Sequence, residues 1–353
     1  MPIPPSSFPT HWLGVRFGHL GDVLLTTGVF EHMGVHAGLT FDVLTKEAWA
    51  PVFEGHPHVR KTLVLPDECT SMAQLLAYMK ALAQSYARQN ATTGLLDLHG
   101  NLRSLVLKTF WKNGPICSYP KYSLERRLFM LSGKRMGAET LRATSVAQRY
   151  ALAFQAAGML AAAPENSLLR PKIWLSAEER ENAASALGMA GLPPGAAGTR
   201  PVALHPYAAH PEKTWPREQW LHLAALLEQA GIPWIAVGRG ENFFPHKGAS
   251  FINHCTLRQS AALLSCCRAL VTGDSGPMHL ASAVGTPVVA LFGPTTREWG
   301  FFPTGERDRV LELPLPCRPC SLHGNSSCPL KGKCLKDLAP EAVMESLRHS
   351  GQE

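Results

Sequence analysis

The chain has 353 residues, 34 Lys and Arg against 27 Asp and Glu, a formal net charge of +7, 45% hydrophobic and 17% charged residues. That length suits about two domains and that balance builds cores, which excludes disorder, collagen and coiled coil. No apolar run reaches the roughly 18 residues of a spanning helix, and the first ten residues (MPIPPSSFPT) lack the basic start and apolar stretch of a secretory signal, so a cytoplasmic protein is expected.

After the Pro-rich start, Trp12 to Phe17 (WLGVRF) reads as a strand, followed by a glycine turn and a helix over Asp22 to His32. Further strands are predicted at Thr40 to Thr45, Thr62 to Leu65, Gly94 to Leu98 and Ile116 to Tyr119, with a helix over Ser71 to Arg88. Strands alternating with amphipathic helices imply parallel pairing through helical crossovers. Periodicity lapses between Ala161 and Trp174, around Pro164 and Pro171, as expected of a linker. The expected domains are therefore 1–170 and 171–338, with residues 339–353 a terminal helix packing back on the first domain. A second alternating series puts strands at Pro201 to His205, Trp234 to Val237, Ser250 to Ile252, Ala269 to Thr272 and Val288 to Phe292. Its helices fit Ala177 to Ala190, Arg217 to Ala230, Arg258 to Ser265 and Met278 to Val284. The fold class is α/β, with two halves of similar size. Ligands of such sheets sit beyond the carboxyl ends of strands, so the cleft between the halves is the expected site.

The loop Phe17-Gly18-His19-Leu20-Gly21-Asp22 lacks the third Gly of a dinucleotide fingerprint and the Gly-Lys-Ser/Thr of a P-loop. Asp22 has two readings: a helix N-cap, or a general base, because a carboxylate is ionised at neutral pH and accepts a hydroxyl proton. In Val271-Thr272-Gly273-Asp274-Ser275-Gly276-Pro277-Met278-His279-Leu280 an apolar run ends in small polar residues and opens a helix. Pro277 fits its first turn and Gly285 its far end. The N–H groups of Ser275, Gly276 and Met278 are then expected free at the positive end of the helix, which suits a phosphate. The loop from His205-Pro206-Tyr207 to Lys213-Thr214-Trp215-Pro216 follows another strand, placing Lys213 to meet a diphosphate and Thr214 to add a hydroxyl, unless Lys213 is merely a solvated surface charge.

Arg103, in Asp97-Leu98-His99-Gly100-Asn101-Leu102-Arg103, is a candidate for binding an anionic acceptor, or it decorates a helix. Gly238-Arg239-Gly240-Glu241 offers Glu241 to a ribose hydroxyl. Cys317, Cys320, Cys328 and Cys334 are spaced C-x2-C-x7-C-x5-C, as four thiolates around a structural zinc can be; reduced thiols and disulfides are the other readings. The positive charge favours anionic partners, but the basic residues are dispersed and lack interleaved aromatics, which argues against a nucleic-acid-binding module.

Three stretches together resemble glycosyltransferase family 9, which includes the lipopolysaccharide heptosyltransferases: Leu20-Gly21-Asp22-Val23; the His205-Pro206 loop through Lys213-Thr214-Trp215-Pro216; and Gly273 to His279 followed by Leu291-Phe292-Gly293-Pro294-Thr295. The cysteine-rich tail also looks like tails of some members. The resemblance implies a GT-B fold, two Rossmann-like domains with parallel sheets facing a central cleft, and inverting transfer of heptose from ADP-heptose to the lipopolysaccharide inner core, with no cofactor required for catalysis. On matching positions Asp22 is the base and Lys213, helped by Thr214, neutralises the leaving diphosphate. Ser275 and Gly276 bind it through their backbone, Asp274 contacts the donor sugar, and His279 lies in the same motif. The implied partners are the donor and the lipopolysaccharide core, with peripheral contact at the cytoplasmic face of the inner membrane and no nucleic acid. Members often carry Gly, Ala and Ser or Thr after His-Pro, where this chain has Tyr207, Ala208 and Ala209, so a hydroxyl contact to phosphate is in doubt there. The same architecture also hosts transferases of other nucleotide sugars and nucleotide-sugar epimerases.

Overall fold

The computed structural model describes residues 8–89, 91–155, 157–192, 199–244, 248–320, 328 and 330–350. They form two compact units, the first running to Phe129 and over Arg135–Pro171, the second comprising Met130–Lys134 and the chain from Lys172 onward. Among the described residues no helix is long and apolar enough to cross a membrane.

The first unit runs β1 (His11–Val15), α1 (Leu20–Ala37), β2 (Thr40–Thr45), β3 (Val59–Val64), α2 (Met72–Ala87), β4 (Thr93–Asp97), α3 (Leu102–Phe110), β5 (Ile116–Ser118), α4 (Ser123–Leu131), α5 (Ala138–Ala143) and α6 (Val146–Gln155). Its strands pair in parallel in the order β3-β2-β1-β4-β5. The chain therefore builds outward from β1 to β3 and returns to add β4 on the other side, so the topological switch lies between β1 and β4. Leu13, Val15 and Leu95 of the sheet pack on Leu75 and Met79 of α2 and Leu107 of α3. Trp12 of β1 and Phe41 of β2 meet Phe154 of α6 edge-on. Reciprocal capping boxes, Ser71 with Gln74 and Asn101 with Ser104, start α2 and α3. The linker is docked: Leu169 is buried, and a β-carbon at Gly28 of α1 would stand 2.2 Å from the Arg170 carbonyl oxygen.

The second unit runs α7 (Ala177–Met189), β6 (Val202–His205), α8 (Arg217–Gln229), β7 (Trp234–Gly238), β8 (Ala249–Ile252), α9 (Leu257–Ser265), β9 (Ala269–Gly273), α10 (Gly276–Ala283), β10 (Val288–Phe292), β11 (Arg309–Glu312), α11 (Lys333–Lys336) and α12 (Pro340–Ser350). Its parallel order is β11-β10-β9-β6-β7-β8, with the switch between β6 and β9. The terminal helix corrects the sequence expectation. Val343, Met344 and Leu347 of α12 lie on one helical face and are buried with Trp220, Leu223 and Leu227 of α8 against Val271 and Val289, so the helix completes the core of the second unit. The sequence reading also lacks β11, a four-residue edge strand with charged ends, and the short helices α4 and α5, which bury Phe129 and Leu141 respectively.

Candidate functional site

At the β1/β4 switch of the first unit, α1 starts at Leu20, with His19 in the extended N-cap conformation (φ −69°, ψ 160°) and no side-chain cap bond. Asp22 is thus the third helical residue, not the cap, and its carboxylate is free to be engaged elsewhere. Arg16, just past β1, donates from Nη2 to Asp22 Oδ2 at 2.7 Å and from Nη1 to the Leu98 carbonyl at 2.5 Å. Tyr150 Oη donates to Asp22 Oδ1 over a long 3.3 Å, and the guanidinium lies 5.5 Å from the Tyr150 ring centre. One carboxylate oxygen is therefore pinned by a buried cation and the other is only lightly held. Gly18 keeps this pair possible, because a β-carbon there would sit 2.9 Å from Arg16 Nη2 and 3.1 Å from Asp22 Oδ2.

Burial by itself lowers the basicity of Arg16, but Tyr150, Asp22 and Tyr119 outweigh it and shift its pKa upward. Burial raises the Tyr150 pKa well above its ordinary value, so the phenol stays a donor. Burial, with Arg16 nearby, pushes His99 down to about 4 and keeps it neutral at pH 7. Asp97, at the end of β4, spends Oδ1 on the N–H groups of His99 (3.0 Å) and Gly100 (2.7 Å), and its Oδ2 lies 3.3 Å from Lys108 Nζ. Asn101 caps α3, leaving Arg103 exposed in the first turn of that helix.

At the β6/β9 switch of the second unit, two loops distant in sequence meet. Lys213 Nζ stands 2.7 Å from Asp274 Oδ2, which also accepts from Thr295 Oγ1 at 2.8 Å. The loop that delivers Lys213 is anchored by Trp215, buried edge-on against Trp220 and donating from Nε1 to the Leu338 carbonyl at 3.0 Å. Gly273 admits that loop closely: a β-carbon there would lie 3.0 Å from the Lys213 carbonyl oxygen. Ser275 caps α10 in extended conformation, its Oγ 3.1 Å from Thr272 Oγ1, which in turn lies 3.0 Å from Nδ1 of buried His205. Among the described residues the N–H groups of Ser275 and Gly276 meet no acceptor, whereas Met278 N–H donates to the Ser275 carbonyl at 3.2 Å. The expected trio of free amides is therefore a pair, because the helix tightens its first turn. Thr214 is exposed beside Lys213. His279 is buried in α10 near Phe301, inside the helix packing rather than at its open end. Glu241 is exposed past β7, its carboxylate 3.4 Å from Arg217. A lysine balanced by a carboxylate, beside two free amides at a helix N-terminus, can receive a diphosphate.

Burial lowers His205 to about 4, and the same direction at His99 gives a testable pH dependence. Between about 4 and the ordinary histidine value of 6.5 the unfolded chain binds protons that the folded chain does not, so stability rises with pH across that window and is lost as pH falls through it. At pH 5 the cost for His205 is about 2 kcal/mol, from ~1.4 kcal/mol per pH unit, with a smaller, solvent-screened share from His99. Urea midpoints at pH 7.5 and pH 5 check this: the wild type falls steeply, and His205→Gln falls by less.

None of the four tail cysteines is joined in a disulfide. Burial raises Cys320 to about 11, with Cys317, Cys328 and Cys334 adding to the rise, so these sulfurs lie within electrostatic reach of one another. Cys328 Sγ accepts from Gly332 N–H at 3.1 Å. Yet among the described residues no three His, Cys, Asp or Glu side chains converge as a metal ion requires.

The structure adds residues that the sequence reading did not single out: Arg16 and Tyr150 at Asp22, Thr295 at Asp274, and the His205–Thr272 pair at Ser275. Arg16 had a signal, a charge within an otherwise apolar strand. Tyr150 had none, since it is 128 positions from Asp22.

Comparison with known proteins bears on family and fold. The family model of glycosyltransferase family 9 (heptosyltransferase) matches residues 79–330. Lipooligosaccharide heptosyltransferase 2 of Campylobacter jejuni is 36% identical over 108 residues, 29% of this chain and 32% of that protein. The chain thus spans about a third of the length of the curated relatives it matches first. Among solved structures, a family 9 glycosyltransferase from Veillonella parvula superposes with a TM-score of 0.74 at 20% identity, covering 97% of both chains. The ADP-heptose lipopolysaccharide heptosyltransferase II of Escherichia coli gives 0.68 at 19% identity, covering 97% of this chain and 98% of that one. At such identities the likeness speaks to the fold.

Proposed function

Because the chain belongs to glycosyltransferase family 9 and has the GT-B fold of its structural neighbours, we propose that it transfers heptose from ADP-heptose to the inner core of lipopolysaccharide, with inversion at the anomeric carbon. The observation that carries this reading is the meeting of Lys213, Asp274 and Thr295 beside the free amides of Ser275 and Gly276. A diphosphate leaving group fits there, and the donor is the one named for the Escherichia coli neighbour, ADP-heptose lipopolysaccharide heptosyltransferase II.

In the proposed reaction the acceptor hydroxyl gives its proton to Asp22 and its oxygen attacks the anomeric carbon. The bond from that carbon to the phosphate oxygen breaks, and ADP departs with the electron pair. Lys213 and the amides of Ser275 and Gly276 stabilise the charge that grows on ADP, an effect larger in the transition state than in the bound substrate. Thr214 adds a hydroxyl, Asp274 orients Lys213 and faces the donor sugar, and Glu241 accepts from a ribose hydroxyl. Arg103 and the net charge of +7 suit an anionic, lipid-linked acceptor at the cytoplasmic face of the inner membrane. No catalytic metal enters this scheme.

The test is ADP release from ADP-heptose, measured with and without heptose-deficient lipopolysaccharide core. Release that needs the core, with heptose recovered on it, is expected. Release or sugar rearrangement without acceptor identifies a hydrolase or epimerase instead, and preference for another nucleotide sugar overturns the donor.

A further inference from the structure

The loop after β7 is held in place more firmly than its two glycines suggest. Asn253, just past β8 and itself in the left-handed region (φ 64°), grips the Gly240 peptide from both sides: Gly240 N–H donates to Oδ1 at 3.0 Å, and Nδ2 donates to the Gly240 carbonyl at 2.9 Å. The Asn253 N–H also donates to the Gly238 carbonyl at 2.8 Å. From the opposite direction Tyr207 Oη donates to the Glu241 carbonyl at 2.6 Å. The Tyr207 ring fills the space that side chains at these glycines would need. A β-carbon at Gly238 (φ 123°) would lie 2.7 Å from it, and one at Gly240 (φ 152°) would lie 2.4 Å from it.

Tyr207 is the second residue past β6, on the same loop that carries Lys213, so one side chain ties the diphosphate loop to the loop after β7. In a doubly wound sheet, an acidic residue past the strand beside the phosphate-binding strand meets the ribose hydroxyls. Glu241 has that position, and its main chain is the point that Tyr207 holds. The ring at position 207 therefore supplies a mechanical link between two binding loops in place of a small residue.

We propose that Tyr207 and Asn253 are positioning residues that hold the Gly238–Glu241 loop preformed for the nucleoside half of the donor, an inference that rests on the donor reading above. A preformed loop spends none of the binding energy on ordering itself. Loss of either grip weakens the nucleoside contact and leaves the diphosphate contact at Lys213 as it was.

The experiment measures affinities of the full chain for ADP and for inorganic pyrophosphate by calorimetry, in wild type, Tyr207→Phe and Asn253→Ala, with a thermal melt of each. Tyr207→Phe keeps the ring and removes only the hydroxyl, so it guards against a folding artefact. ADP affinity falls three- to tenfold in Tyr207→Phe while pyrophosphate affinity stays within twofold, and in turnover the KM for ADP-heptose rises with kcat within twofold. Equal ADP affinity in wild type and Tyr207→Phe overturns the inference alone. An equal fall for ADP and pyrophosphate also overturns it, since that marks a general loss of structure. Failure of the wild type to bind ADP overturns the donor reading, and the inference with it.

Discussion

On the proposed function, Asp22→Asn is expected to slow heptose transfer steeply while leaving ADP binding intact. The amide keeps the shape of the side chain but cannot take a proton, and loss of a positioned base costs on the order of 10²- to 10⁴-fold in rate, about 3–5 kcal/mol of barrier. The arrangement around the residue makes the substitution informative. Arg16 pins Oδ2 and Tyr150 only lightly engages Oδ1, so on the proposed function Oδ1 is the oxygen open to a proton. The variant also leaves the Arg16 guanidinium, 7% exposed, without its counter-charge, and the first unit melts lower. ADP affinity and the melt, measured on the same preparation, separate that structural cost from lost chemistry. Turnover within tenfold of wild type in a folded Asp22→Asn chain would falsify the base assignment.

Lys213→Ala comes second in expected size, and it lowers both affinity and rate. Removing the ammonium takes away a charge-assisted contact of about 1.5–3 kcal/mol, so ADP binds roughly 10- to 100-fold more weakly. It also leaves Asp274, with Thr295 as its remaining donor, as a negative charge beside an incoming diphosphate. Transfer falls further than binding, because charge on the departing ADP grows toward the transition state. Coupling between the two residues is read from Lys213→Ala, Asp274→Asn and the double variant. The double variant binds ADP better than Lys213→Ala, because the unpaired carboxylate is gone. ADP affinity unchanged in Lys213→Ala places the side chain elsewhere in the chemistry and removes it from the phosphate site.

Much of this protein was legible before folding. Alternation of short apolar runs with amphipathic helices is a local property, and buried parallel strands such as Val288 to Phe292 announce themselves as unbroken apolar segments, so the α/β class followed from sequence. Glycine and small polar residues at strand ends marked the loops of Asp22, Lys213 and Asp274 for the same reason: each is short-range. The fate of the last helix was not local. α12 carries an apolar face that any exposed core can accept, and only the packing of Val343 and Leu347 against α8 and the sheet assigns it to the second unit.

The local reading of Asp22 as a cap failed because a cap depends on where the helix begins, and α1 begins two residues earlier. Tertiary structure alone decided the partners of each candidate residue. Lys213 and Asp274 are 61 positions apart, and Tyr150 and Asp22 are 128 apart. No periodicity encodes such pairs. Lys213 meets Asp274 because the strand order reverses beside β6, which brings the ends of β6 and β9 together, and Tyr150 reaches Asp22 because α6 packs on α1. Sequence marked the candidate residues and their place at strand ends. Tertiary structure decided which of them meet, and which of Asp22's two oxygens is only lightly held.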